Sequence, residues 1–106
     1  MPDDYNYQKA VIGQTVKFPC PTKLDEDVDW VHLKTLESKG EYIYLGNFGI
    51  IFFYRHPRFK VDEDHSHTLV IYNVTVNDSG YYRCDEEKGL GKHFYNLIVE
   101  GEFSFM

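Results

Sequence analysis

Along most of the chain, apolar residues fall at every second position or in short unbroken runs, and turn-forming residues separate them. Val16, Phe18 and Cys20 alternate with Lys17 and Pro19, the period of a strand with one buried face. Pro19 has no N–H to give to a ladder, so this strand should bend or lie near an edge there. Val28–Leu33, Glu41–Leu45, Ile50–Tyr54, Phe59–Val61, Thr68–Tyr72, Gly80–Cys84 and Phe94–Val99 read as further strands. Gly13-Gln14, Ser38-Lys39-Gly40, Asn47, Gly49 and Pro57 supply the turns between them. The best helical candidate, Lys34–Lys39, is too short and has no apolar stripe. Many short strands with frequent turn signals predict an all-β sandwich or barrel. No internal repeat, low-complexity tract or linker interrupts the pattern.

Composition narrows this further. With 106 residues the chain has room for one core, hence a single domain over 1–106. Aromatic residues make up 17%, too many for a disordered chain. The net charge is −6 and no stretch is strongly basic, which argues against nucleic-acid binding. An acidic surface also repels anionic headgroups, so direct membrane binding is not expected. The longest apolar run, Ile50-Ile51-Phe52-Phe53-Tyr54, is far short of the roughly 20 residues of a membrane span. Met1-Pro2-Asp3-Asp4 has neither the basic start nor the apolar centre of a signal peptide.

Cys20 and Cys84 are 64 residues apart. They read either as buried thiols or as a disulfide. No Cys-x-x-Cys pair points to zinc. A disulfide closing so long a loop would remove roughly 4 kcal/mol of unfolded-chain entropy, and it requires an oxidising compartment. Two N-glycosylation sequons, at Asn73-Val74-Thr75 and Asn77-Asp78-Ser79, point the same way. The chain is therefore expected to be extracellular, secreted or part of a membrane protein's ectodomain, with any signal peptide removed and any anchor outside this chain.

From about Val11 to Val99 the sequence resembles the immunoglobulin superfamily, variable type (V-set). Asp78-Ser79-Gly80-Tyr81-Tyr82-Arg83-Cys84 matches the family pattern Asp-x-Gly-x-Tyr-x-Cys. The resemblance implies a Greek-key sandwich of two sheets. Cys20 of strand B would be joined to Cys84 of strand F, and Trp30 would pack on that disulfide. Tyr82 is similar to the tyrosine corner, whose hydroxyl bonds backbone upstream. Gly80 supplies a turn that a side chain would strain, and Asp78 should pair with Arg58 across the bottom of the sandwich. The stretch between Trp30 and Arg58 leaves room for strands C′ (Glu41–Leu45) and C″ (Ile50–Tyr54), the mark of the variable type. Gly89-Leu90-Gly91 resembles a joining segment. However, Lys88 stands where an aromatic residue belongs, and Val99 lies further on than the pattern has it. The loop Asp85–Lys88 is too short for a diverse antigen-combining surface. Residues 100–106 are expected to be a stalk or tail.

No catalytic residue, cofactor or metal site is expected. Ser79 and Asp78 lack a histidine with an assigned relation to them. His65-x-His67 beside Asp62, Glu63 and Asp64 has the spacing of a ligand pair on one side of a strand, but the segment reads as a solvated hairpin. His32, in phase with Trp30, reads as a packed histidine. Asp25-Glu26-Asp27 reads as a solvated loop.

What remains is the surface of the front (GFCC′) sheet. With Trp30 inward, Val31 and Leu33 should face outward. With Tyr82 and Cys84 inward, Tyr81, Arg83 and Asp85 should face outward as well. Tyr42 and Tyr44 should share one face of C′. Val31, Leu33, Tyr42, Tyr44, Arg83 and Asp85 thus form the expected interface. Its partner would be a protein, either a second copy of this chain or a related V-type domain, in receptor-type immune recognition or adhesion. On this reading Leu33→Glu should abolish association and leave folding intact. The alternatives are a loop-tip module for glycan or another small ligand, and a structural spacer. Loops without Trp weaken the first, and an apolar front face argues against the second.

Overall fold

The computed structural model describes residues 6–22, 27–46, 50–51, 57–62, 67–88 and 91–101. Among these residues nine strands form two sheets. They are β1 (Asn6–Val11), β2 (Val16–Phe18), β3 (Val28–Leu33), β4 (Glu41–Leu45), β5 (Ile50–Ile51), β6 (Phe59–Asp62), β7 (Thr68–Ile71), β8 (Gly80–Glu86) and β9 (Lys92–Glu100). A 3-10 turn, Val76–Asp78, precedes β8. The front sheet has the order β1-β9-β8-β3-β4-β5 and the back sheet the order β2-β7-β6. Every pairing is antiparallel except β1 with β9, which is parallel. In family terms β3, β8 and β9 are C, F and G, while β4 and β5 are C′ and C″.

Period-two alternation accounts for the core. Val16 and Phe18 of β2, Leu69 and Ile71 of β7, and Tyr82 and Cys84 of β8 all enter one apolar cluster around Trp30. Cys20 and Cys84 form a disulfide with Cα atoms 6.0 Å apart. Trp30 sits directly opposite Cys84 in the β3–β8 register and is fully buried. Its indole N–H donates to the His67 carbonyl at 3.0 Å, so the burial leaves no orphan donor. Phe18 stacks on Tyr95 with centroids 4.6 Å apart. The Tyr95 hydroxyl donates to the carbonyl of Pro19, just past the point where β2 ends. Burial pushes the Tyr95 phenol above its ordinary range.

Two elements differ from the sequence reading. The fold begins before Val11, because β1 runs from Asn6 and pairs along β9 as far as Glu100. Only Ala10 of that strand is buried, so its apolar pattern is almost silent. The second difference lies in β5, of which Ile50 and Ile51 pair with β4. Phe52, Phe53 and Tyr54, expected to continue it, lie outside the described residues.

Candidate functional site

Two arrangements stand out, a charged latch at the lower end of the sandwich and the outer face of the front sheet. The latch centres on Asp78, which is buried at 3% exposure. Both terminal nitrogens of Arg58 donate to its carboxylate, at 2.8 and 3.1 Å, and the Thr75 N–H donates at 2.8 Å. The Tyr82 hydroxyl donates to the Asp78 main-chain carbonyl at 2.5 Å. Burial alone would raise the Asp78 carboxyl. The Arg58 and Thr75 donors and the nearby positive charge outweigh it and hold the group below the ordinary aspartate range. Hydrogen bonding to Asp78 in turn raises Arg58. The backbone of Gly80 explains the next position of the motif. Its φ is +133°, and a Cβ there would meet the Leu33 carbonyl at 2.8 Å and His32 Nε2 at 2.9 Å. Only glycine fits.

The outer front face is where recognition was expected, and the structure redraws it. Val31 and Leu33 do lie opposite Arg83 and Tyr81, in the outward phase, and neither belongs to the core cluster. They are nevertheless buried, at 2% and 5% exposure. Gly40, just before β4, packs closely beside them. A Cβ on Gly40 would come within 2.4 Å of Val31 Cγ1 and 3.5 Å of Leu33 Cγ, so the Gly40 backbone rests directly on both side chains. Thr35 and Ser38 brace the segment between β3 and β4 through a tight turn, in which the Ser38 N–H and hydroxyl both donate to the Thr35 carbonyl.

Tyr42 and Tyr44 do not share a face. The β3–β4 register shifts between Trp30 and Val31, so that Tyr44 pairs with Trp30 and Tyr42 with Val31. Ile43 is the extra residue of this β-bulge. Tyr44 enters the core with Ile43, while Tyr42 stays 45% exposed.

Arg83 and Asp85 are on the outer face but occupied with each other. Arg83 donates to both Asp85 oxygens, at 2.7 and 3.0 Å, and Lys92 approaches Asp85 at 3.3 Å. The sequence reading missed the other half of this face. Phe94 lies opposite Arg83, and Asn96 opposite Tyr81. Phe94, Tyr81 and Ile98 are half-buried, and Tyr7 of β1, in register with Asn96, is 69% exposed. The signal was available. Once Tyr95, Leu97 and Val99 face inward, Phe94 and Ile98 must face outward.

Of the remaining candidates, Asn73 and Asn77 are both exposed at the lower end. Asn73 has a φ of +54°, a conformation that asparagine tolerates. His32 stacks on Tyr82 at 4.4 Å, and its Nε2 meets the Ser79 carbonyl rather than the hydroxyl. The Ser79 hydroxyl accepts from the Val99 N–H, so the two do not form a nucleophile–base pair. Among the described residues no cluster of three His, Cys, Asp or Glu is placed to hold a metal ion. No described helix is long and apolar enough to cross a membrane. Asp25, Glu26, Glu63 to His65, Gly89, Leu90 and residues 102–106 lie outside the described residues.

The family follows from comparison. The immunoglobulin V-set domain family matches residues 6–100. The chain is an immunoglobulin V-set domain. Members of this family are typically recognition domains rather than enzymes. Among solved structures, Tim-1 superposes with a TM-score of 0.76 at 23% identity, covering 98% of this chain and 99% of that one. The complex of Dpr1 IG1 with DIP-eta IG1 gives 0.68 at 22% identity, covering 92% and 91%. The CD2-binding domain of CD58 gives 0.67 at 19% identity, covering 90% of this V-set domain and 53% of that chain. These likenesses establish the shared fold. No curated protein matches the chain in sequence.

Proposed function

We propose that this V-set domain is an extracellular protein-recognition module that pairs with another V-type domain, a second copy of this chain, through the outer face of β8, β9 and β1. The observation that carries the reading is the strip Tyr81–Phe94–Ile98–Tyr7. It leaves large side chains partly exposed on a rigid sheet, whereas Val31 and Leu33 of β3 are buried. Aromatic side chains at such a face give large contact area for little ordering cost. An isologous dimer would set each strip against its copy. The solved complex of Dpr1 IG1 with DIP-eta IG1 and the CD2-binding domain of CD58 supply structural precedent for V-type folds in protein contacts. The Cys20–Cys84 disulfide and the exposed sequon residues Asn73 and Asn77 support an extracellular setting. Sedimentation across a concentration series, with Phe94→Glu as the disrupting variant, tests the reading. The parent should self-associate, and the variant should remain a folded monomer.

A further inference from the structure

At the lower end of the sandwich, where β3 ends and β4 begins, two cavities of about 260 and 190 Å³ lie side by side and share His32, Lys34 and Glu41 as walls. The smaller is completed by Ser38 and Lys39, and the larger by Asn77 and the Arg58–Asp78 latch. Arg58 and Asp78 neutralise each other. That leaves two lysines against one carboxylate, a locally positive cleft on a domain whose net charge is −6. Lys34 and Lys39 are exposed, and neither has an ion-pair partner among the described residues. The floor is rigid, because His32 is held flat on Tyr82 at an interplanar angle of 6° and fixed at Nε2 by the Ser79 carbonyl.

We infer that this cleft binds a single acidic sugar unit. Both cavities are smaller than the roughly 300–1,000 Å³ of sites for drug-sized ligands, so the occupant is small. Lys34 and Lys39 call for an anionic group, a carboxylate or a sulfate. The Glu41 carboxylate and the Asn77 amide call for hydroxyl donors beside that anion. A sugar carrying one acidic group presents both on one small ring, whereas a bare inorganic anion would meet Glu41 as a repulsive neighbour. The cleft shares no lining residue with the strip Tyr81–Phe94–Ile98–Tyr7, so the two are tested by different variants.

The test titrates the disulfide-bonded, unglycosylated domain with glucuronic acid, N-acetylglucosamine 6-sulfate and neutral N-acetylglucosamine, followed by amide NMR. One or both acidic sugars should give saturable shifts at Lys34, Lys39, Glu41 and Asn77, and the neutral sugar none. A response to glucuronic acid alone assigns the carboxylate as the recognised anion; a response to the sulfated sugar alone assigns the sulfate. Lys34→Ala combined with Lys39→Ala should weaken binding about tenfold or more, while Lys60→Ala and Phe94→Glu leave it unchanged. The inference is overturned if neither acidic sugar saturates, if the neutral sugar binds equally, or if the double variant binds as the parent does.

Discussion

Arg58 grips the buried Asp78 carboxylate with both terminal nitrogens, at 2.8 and 3.1 Å. The Arg58 side chain is one-third exposed and that of Asp78 only 5%, so the two ends of the pair are unequal. Removing the guanidinium strands a carboxylate that keeps only the Thr75 N–H. Arg58→Ala should therefore cost about 2–3 kcal/mol, below the full figure for a wholly buried pair because water reaches the vacated site. Lys60→Ala, on an exposed position of β6, should stay within about 0.5 kcal/mol. Equal urea midpoints for the two variants would show that the latch contributes nothing.

The same pair fixes the acid limb of stability. The folded-state pKa of Asp78 is lowered. Its contribution is therefore fully present above the unfolded aspartate value, near 3.9, and is lost as pH falls through the folded value. Asp78→Asn should be markedly less stable than the parent at pH 7, and the gap should close below about pH 4. Urea titrations of both proteins at neutral and acid pH check this. A gap that stays constant down to pH 2 would remove the linkage.

Leu33 faces away from Trp30 yet is buried beside Gly40. Leu33→Glu should consequently destabilise the fold, by roughly 3 kcal/mol or more, because a carboxylate is buried there without a partner. Gly40→Ala should cost about 1–3 kcal/mol, since the new methyl must displace Val31 or shift the chain at Gly40. Thermal melts decide. Parent-like melting of both variants would mean that Gly40 does not pack against Val31 and Leu33.

Reduction of Cys20–Cys84 should cost about 2–5 kcal/mol, measured by denaturation with and without reductant. Non-reducing mass analysis should find the two residues linked. Two free thiols in protein folded under oxidising conditions would contradict the extracellular assignment.

How much of this was legible follows from the range of each interaction. The residues around the disulfide lie in strongly alternating strands or in a short motif with fixed spacing. Cys20, Trp30, Gly80, Tyr82 and the Arg58–Asp78 pair were placed through the resemblance to the V-set family that the motif Asp78–Cys84 carries. The outward phase of Val31 and Leu33 was equally readable, because period two is a local property. Their burial was not, because it depends on non-local packing such as the close approach of Gly40, which no periodicity encodes. Tyr44 escaped for a related reason. One extra residue, Ile43, shifts the β3–β4 register, and a shift of one flips the side-chain assignment beyond it. β1 was missed because it buries only Ala10. It is held instead by its parallel pairing with β9.

Pairing through β8, β9 and β1 is tested most directly by sedimentation equilibrium of the parent and Phe94→Glu over a wide concentration range. Each copy carries −6, so added salt should strengthen the parent's self-association by screening like charges. The parent should form a concentration-dependent dimer and Phe94→Glu a folded monomer, with Tyr42→Glu, on β4, behaving as the parent. A parent that stays monomeric at every concentration, or a Phe94→Glu variant that dimerises as the parent does, would contradict pairing through this face.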